Sequence, residues 1–278
     1  MDETEPTRLA RYLVPNVITM ASLVFGMLSL ASSHRGDYEA AAWWVIYAVL
    51  FDRLDGLSAR LLRATSELGV HLDSFADFLG FGVAPAFLML TFLGNHPALP
   101  FADGLGRVAL FVACAAWALA SAFRLARYNI NADSTTPTKV FFGIPTTLAG
   151  GTLMVWFLAF LKYARPGETF GGARLLGDGP LTPSGVWWYF PIAMLTGAYL
   201  MVSSMPLPKG GLSESKIATV LVVANLGAGY VLGFARLYPE YLVIPPSIWI
   251  VVFLIWGQAS PAARAMKPAP VFPRGQLE

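Results

Sequence analysis

Apolar residues gather in eight stretches along this chain of 278 residues, at 16–33, 39–51, 75–93, 108–123, 146–160, 186–202, 217–232 and 242–256. A helix that crosses a bilayer needs about 20 mostly apolar residues. Several stretches fall short of that length. The second and third reach it only by running into the polar segment between them, which places that segment at the end of one helix and the start of the next. The pattern predicts an all-α polytopic bundle of about eight transmembrane helices, six or seven where Gly and Pro interrupt a span. Residues 1–13 read as a cytoplasmic lead-in with a short interfacial helix at 9–13, and 14–260 as the transmembrane domain. The Gly- and Pro-rich stretch 162–184 reads as an external loop, and 261–278, with four prolines, as a disordered cytoplasmic tail. No small-residue cleavage site follows the first apolar stretch, so it reads as a retained helix and not a signal peptide.

Composition agrees with a membrane protein: 56% of residues are hydrophobic and 13% charged. A net charge of +2 gives no argument for nucleic acid. Cys114 is the single cysteine, which excludes an intramolecular disulfide and argues against a thiolate metal site. With the N-terminus cytoplasmic and eight alternating spans, thirteen of the 19 Lys and Arg fall on the cytoplasmic side and six outside. Setting aside Arg53, Arg60, Arg124 and Arg127 as candidate site residues still leaves nine against six. Both termini and the polar segment after the second apolar stretch are therefore expected in the cytoplasm.

That segment holds the candidate chemistry. Asp52 and Asp55 are spaced i, i+3, and Asp73 and Asp77 i, i+4, so each pair shares a helix face. Carboxylates at membrane depth are costly, and four converging ones repel unless a cation sits among them. Hard divalent cations take such oxygen ligands. One carboxylate alone could be a helix cap or the partner of an arginine such as Arg60, whereas four in register predict a metal site at the membrane edge. Gly56 and Ala59 let a flat ligand approach the backbone, or else let two helices pack closely. His71 is either a base or a polar loop residue. Arg124 and Arg127, i, i+3 at the end of the fourth span, could hold an acceptor carboxylate bidentately. They could equally hold a donor phosphate or simply mark the inside face. Asn129 is a neutral partner for the acceptor.

The pattern Asp52-x2-Asp55-Gly56-x2-Ala59-Arg60-x8-Gly69-x3-Asp73-x3-Asp77 resembles, without a mismatch over eight fixed positions in 26 residues, the signature of the CDP-alcohol phosphatidyltransferases. The resemblance implies a cytidine-diphosphate-linked lipid donor, a small alcohol acceptor and CMP as leaving group. It also implies two divalent cations, Mg2+ or Mn2+, held by Asp52, Asp55, Asp73 and Asp77, with Asp77 also the general base. Gly56, Ala59 and Gly69 would line the nucleotide and Arg60 would lie near its phosphates.

Further motifs look like the phosphatidylserine synthase branch: Val14-Pro15-Asn16-Val17-Ile18-Thr19, the run from Asp73 to Pro85, Arg124-Leu125-Ala126-Arg127-Tyr128-Asn129 and Gly143-Ile144-Pro145-Thr146. This likeness covers the N-terminal half, to about residue 150. Gly80 stands where that branch usually has Ser, and Thr147-Leu148 where Pro-Ala is more usual. Both departures bear on the acceptor and not on the reaction class. The branch implies CDP-diacylglycerol as donor, L-serine as acceptor, membrane lipids as surroundings and a homodimer.

Other readings differ in what they require. Choline as acceptor would want an aromatic box around its quaternary ammonium, for which Tyr128 alone stands ready. Glycerol 3-phosphate or an inositol phosphate would want more basic residues than two arginines. A prenyltransferase of the UbiA type has its aspartate pairs far apart in sequence. A cation transporter normally has acidic residues near the midplane of several helices, and often internal repeats; neither is visible here.

Overall fold

The computed structural model describes residues 5–62, 66–132, 140–164, 170–177, 182–208 and 216–261. The first four residues of the expected lead-in, and the expected disordered tail beyond Pro261, lie outside the described residues. Eight helices make up the described chain: α1 (Glu5–His34), α2 (Tyr38–Leu62), α3 (Glu67–Gly94), α4 (Gly104–Ala132), α5 (Thr146–Ala164), α6 (Tyr189–Val202), α7 (Lys216–Phe234) and α8 (Pro239–Ala259). Helix α1 runs unbroken from the lead-in into the first apolar stretch, past Pro15.

Six helices are long and apolar enough to cross a membrane: those containing Leu13–His34, Glu67–Gly94, Gly104–Ile130, Thr146–Ala164, Gly185–Val202 and Pro239–Trp256. The other two differ for separate reasons. Helix α2 has 25 residues but carries Asp52, Arg53, Asp55 and Arg60 in its last three turns. In α7 the apolar part is the shorter Val222–Phe234.

One element was not legible in the pattern. Residues Val140–Phe142 (β1) pair antiparallel with Pro206–Pro208 (β2), closing a small ribbon between the connections that precede α5 and α7. Three-residue strands joined across more than sixty positions carry too little periodicity to be seen in sequence.

Helix α3 packs against α1, α2, α4 and α5. Ser66 caps its start, its hydroxyl accepting from the Gly69 N–H at 3.0 Å. After Asp77 the helix widens into a π-helical stretch, Phe78–Val83, and then continues as an α-helix. Pro85 has no N–H to offer the preceding turn. The Phe81 carbonyl is satisfied instead from α4, by Trp117 Nε1 at 2.9 Å. Gly82 of this stretch is so close to α4 that a Cβ there would lie 2.7 Å from Ser121 Oγ. On the α5 side the near backbone is Gly150, whose added Cβ would lie 2.9 Å from Phe81 Cβ. Below this level Phe92, Phe157, Trp187 and Phe190 interlock edge to face with centroids 4.8–6.2 Å apart.

At the opposite end of the bundle from the aspartates, Lys162 is fully buried and pairs with Glu240 at 2.8 Å. Its ammonium also donates to the Gly171 and Ala173 carbonyls, both at 3.0 Å, while Tyr163 donates to Glu240 at 2.7 Å. A charge counted from sequence as an ordinary outer lysine thus ties the described part of the 162–184 loop to the start of α8.

The glycine contacts make a direct prediction. Gly150→Ala forces its new methyl against Phe81 backbone and side chain, and overpacking of this kind costs about 1–3 kcal/mol. Gly229→Ala, where a Cβ meets nothing within 4 Å, should leave stability unchanged or slightly raised. Melting temperatures of the two variants in detergent test this; equal values would refute the close packing of α3 on α5.

Candidate active site

Helices α2 and α3 bring the four aspartates together. Carboxylate oxygens of Asp52, Asp55 and Asp73 all lie within 4.8 Å of one another. Asp77, one turn further along α3 and 8% exposed, is within hydrogen-bonding reach of Asp52. Asp55, 6% exposed, accepts from Thr19 Oγ1 of α1 at 2.7 Å. The Asp52 carboxylate is also within hydrogen-bonding reach of the Thr147 hydroxyl at the start of α5. None of the four makes an ion pair among the described residues. Carboxylates so close, partly dehydrated and without a paired cation are suited to a hard divalent ion: the donor set is all oxygen and the repulsion is otherwise uncompensated. The cluster could hold such an ion.

A cleft of about 220 Å³ opens beside the cluster. Helix α1 supplies Pro15, Asn16 and Thr19, α2 supplies Asp52, Asp55, Gly56 and Ala59, and the start of α3 supplies Ser66, Gly69, Val70 and Asp73. The small residues keep it clear. A Cβ at Gly69 would lie 3.1 Å from Ser66 Oγ and 3.2 Å from Asn16 Oδ1. At Gly56 the nearest neighbour of an added Cβ is the Arg60 guanidinium, at 3.8 Å, so Arg60 lies over the open side of that glycine. His71 points outward from the first turns of α3 and does not line the cleft.

The two arginines of α4 have different surroundings. Arg127 is surrounded by carbonyl oxygens: it donates to Val202 at 2.8 Å, Phe142 at 2.9 Å, Ser203 at 3.0 Å and Met201 at 3.2 Å. A cation there meets the negative end of α6 and ties the ribbon to it. Gly143 makes the crossing possible. Its φ is +72°, and a Cβ would collide with the Met201 carbonyl and approach the Arg127 guanidinium at 3.0 Å. Arg127, expected beside Arg124 as a residue for the acceptor, thus makes its observed bonds to main-chain oxygens.

Arg124, by contrast, is 7% exposed, approaches Thr146 Oγ1 at 3.4 Å and has an Nε without a hydrogen-bond partner among the described residues. Its charge acts on Asp77 and Asp52. Asn129 lies to one side and donates to Ser74 Oγ at 2.9 Å, linking α4 to the aspartate helix.

Sequence reasoning did not name Asn16, Thr19, Ser66 or Thr147 as site residues. For Asn16 and Thr19 a signal existed, since both fall in the leader motif and share a face of α1. Ser66 has the form of an N-cap before an apolar run. Thr147 had no signal beyond its departure from the branch pattern; its position depends on how the ribbon delivers α5 to the cluster.

Comparison with known proteins agrees with this geometry. A family model for the CDP-alcohol phosphatidyltransferases matches residues 12–177, more than half of the chain. The chain belongs to that family. Among individual relatives, a CDP-diacylglycerol–serine O-phosphatidyltransferase of Helicobacter pylori is 34% identical over 152 residues, 55% of this chain and 60% of the relative. Proteins of the same name from Bacillus subtilis and Mycobacterium bovis are 33% identical over 143 residues and 28% identical over 249. Those matches cover 51% and 86% of this chain, and 73% and 74% of the relatives. The chain thus spans less than two thirds of the length of the Helicobacter pylori protein.

Two outcomes follow from the site alone. Arg127→Lys keeps the charge but cannot reach several carbonyls at once, so the melting temperature should fall by the equivalent of about 1.5–3 kcal/mol, the scale of a hydrogen bond to a charged group. An unchanged melting temperature would remove Arg127 as the tie between α4, α6 and the ribbon. Added Mg2+ or Mn2+ should raise the melting temperature of the wild-type protein, and Asp55→Asn should suppress that rise; a rise of equal size in both would place the ion elsewhere.

Proposed function

We propose that the chain is a metal-dependent transferase that moves the phosphatidyl group of CDP-diacylglycerol onto the hydroxyl of L-serine and releases CMP. The observation that carries this reading is the convergence of Asp52, Asp55, Asp73 and Asp77 beside a cleft walled by Gly56, Ala59 and Gly69. The names of the relatives support the serine acceptor.

The four aspartates would hold two divalent ions, Mg2+ or Mn2+. Bound there, such ions supply charge neutralisation for a pyrophosphate and its leaving group. The chain's own residues do the rest. Gly56, Ala59 and Gly69 admit the nucleotide and Arg60 lies near its phosphates. Asn16 and Thr19 complete that wall from α1, and the Thr19 hydroxyl fixes the Asp55 carboxylate.

The serine hydroxyl oxygen forms a bond to the lipid-linked phosphorus as the bond from that phosphorus to the CMP oxygen breaks. Asp77 takes the hydroxyl proton. It is buried and close to Asp52, so a substrate hydroxyl beside it meets a base shielded from bulk water. Arg124, buried and with an Nε that has no hydrogen-bond partner among the described residues, would hold the serine carboxylate, and Asn129 would flank it. Arg127 supports this wall indirectly, through the ribbon and α6.

In this reading residues 14–260 form the catalytic domain, between a cytoplasmic lead-in and a cytoplasmic tail. The site and both termini face the cytoplasm of the membrane in which the protein lies, as the bias of basic residues favours. The protein works as a homodimer.

CMP release by the purified protein in detergent tests the assignment, with each cation present or chelated and with serine, choline, glycerol 3-phosphate or inositol phosphate as acceptor. Release should need both cation and serine. Asp77→Asn should lower kcat by at least about a hundredfold, within the range typical of a lost general base, while donor binding persists. Arg124→Gln should raise KM for serine about tenfold or more, the scale of a lost charged hydrogen bond. Release with a different acceptor would keep the chemistry and overturn the serine site.

A further inference from the structure

The connection from α7 to α8, which meets the 162–184 loop through the Tyr238 N–H and the Gly171 carbonyl, carries a second cation at the end of the bundle opposite the aspartates. This is Arg236, and its surroundings differ from those of Lys162. Lys162 has a partner for each ammonium N–H: Glu240 and two loop carbonyls. Arg236 donates from Nε to the Tyr47 hydroxyl at 3.0 Å, and Tyr47 in turn donates to the Phe234 carbonyl at 3.0 Å. Its guanidinium lies over the Trp44 and Tyr47 rings, 5.0 and 5.2 Å from their centroids. The two terminal nitrogens make no hydrogen bond and no ion pair among the described residues. None of Trp44, Tyr47 and Arg236 borders the aspartate cleft.

The backbone makes an arginine at this position costly. Arg236 N–H donates to the Gly233 carbonyl at 3.2 Å and Leu237 N–H to the Leu232 carbonyl at 2.9 Å. Such a pair of bonds closes a helix with a left-handed residue just past its end, and here that residue is Arg236, with φ +55°. Glycine is what such a position favours. The side chain is kept against that preference and held in one direction by two rings and a hydroxyl.

That direction is toward lipid. Phe25 of α1 packs on Trp44 and on Tyr47, in both cases at 5.7 Å, and Phe234 flanks Tyr47 at 5.7 Å. Phe234 is 43% exposed and Ala235 beside it is exposed too, so the aromatic notch opens outward. Tyr and Trp of this kind gather where hydrocarbon meets headgroups. The apolar part of α7, Val222–Phe234, is about 20 Å long at 1.5 Å per residue, against about 30 Å of hydrocarbon. A short helix draws polar headgroups inward. Guanidinium N–H groups at that depth need an acceptor, and a phosphate offers two oxygens in matching geometry.

We propose that Arg236, held edge-outward by Trp44 and Tyr47, binds the phosphate of a phospholipid from the leaflet opposite the aspartates. The lipid fastens the end of the short helix α7 to α1 and α2. The site is separate from the phosphatidyl-transfer reading, and neither binding result bears on CMP release.

Native mass spectrometry of the full-length, delipidated protein in detergent tests the site. The probes are phosphatidylglycerol, diacylglycerol with the same chains, and inorganic phosphate. Wild-type protein should retain one more phosphatidylglycerol than Arg236→Gly, with at least about tenfold higher affinity for it, the scale of a lost charged hydrogen bond. The glycine suits the left-handed backbone, so the variant should remain folded. Arg236→Lys should recover part of the affinity, as a point charge without the fork. Trp44→Leu removes one ring and leaves the α7–α8 backbone alone. It should weaken retention roughly threefold, the scale of an exposed cation–π contact. Diacylglycerol should not fill the site, and inorganic phosphate should not displace phosphatidylglycerol.

Equal retention of phosphatidylglycerol by wild type, Arg236→Gly and Trp44→Leu would overturn the site. Equal occupancy by diacylglycerol would make the notch an apolar contact without phosphate recognition. Displacement by inorganic phosphate would make the ligand a soluble anion. Either of these last two results overturns the lipid assignment.

Discussion

Four carboxylates crowded into one end of an apolar bundle set the constraint on which the rest of the structure depends. Oxygens of three of them, Asp52, Asp55 and Asp73, lie within 4.8 Å of one another, and the repulsion is strongest where water is scarce. The helices must therefore be held by contacts elsewhere that outweigh it. The π-helical stretch of α3 meets this need, packed at backbone distance against α4 at Gly82 and α5 at Gly150. The aromatic cluster beyond it adds buried area well away from the charges. The Thr19 hydroxyl donates to Asp55, and its position on α1 makes that helix part of the site.

Buried cations serve this fold in two ways. At the end opposite the aspartates, Lys162 is paired with Glu240 and donates to two loop carbonyls, so its charge and its hydrogen-bonding capacity are both used. Near the aspartates, Arg127 donates to four main-chain carbonyls. Arg124, three residues earlier, is buried and its Nε has no hydrogen-bond partner among the described residues. Two arginines in one motif thus have different surroundings, one set among main-chain carbonyls and the other approaching the Thr146 hydroxyl. Gly143, whose φ is positive, lets the ribbon pass beneath the Arg127 fork.

Two compartments border α2. On one face of α2 lies a cleft lined by small and polar residues that include Asp52, and on another an apolar groove bordered by Arg53 and Thr147.

Much of this was determined by the sequence alone. Apolar stretches of near-spanning length make a helical membrane bundle, because backbone groups in hydrocarbon must be satisfied within the segment. The i, i+3 and i, i+4 spacings put each aspartate pair on one face, and Gly56, Ala59 and Gly69 were legible as small residues beside them. Local periodicity carries that information. Tertiary structure alone decided which neighbours meet these faces. The ribbon of Val140–Phe142 with Pro206–Pro208, the commitment of Arg127 to carbonyls and the burial of Lys162 all depend on partners far away in sequence. Asn16 and Thr19 were visible as a motif but not as a wall, and Thr147 was visible only as a departure from a pattern. The spacing of residues on one helix fixes which side chains share a face, but what that face touches is settled only when the other helices pack against it.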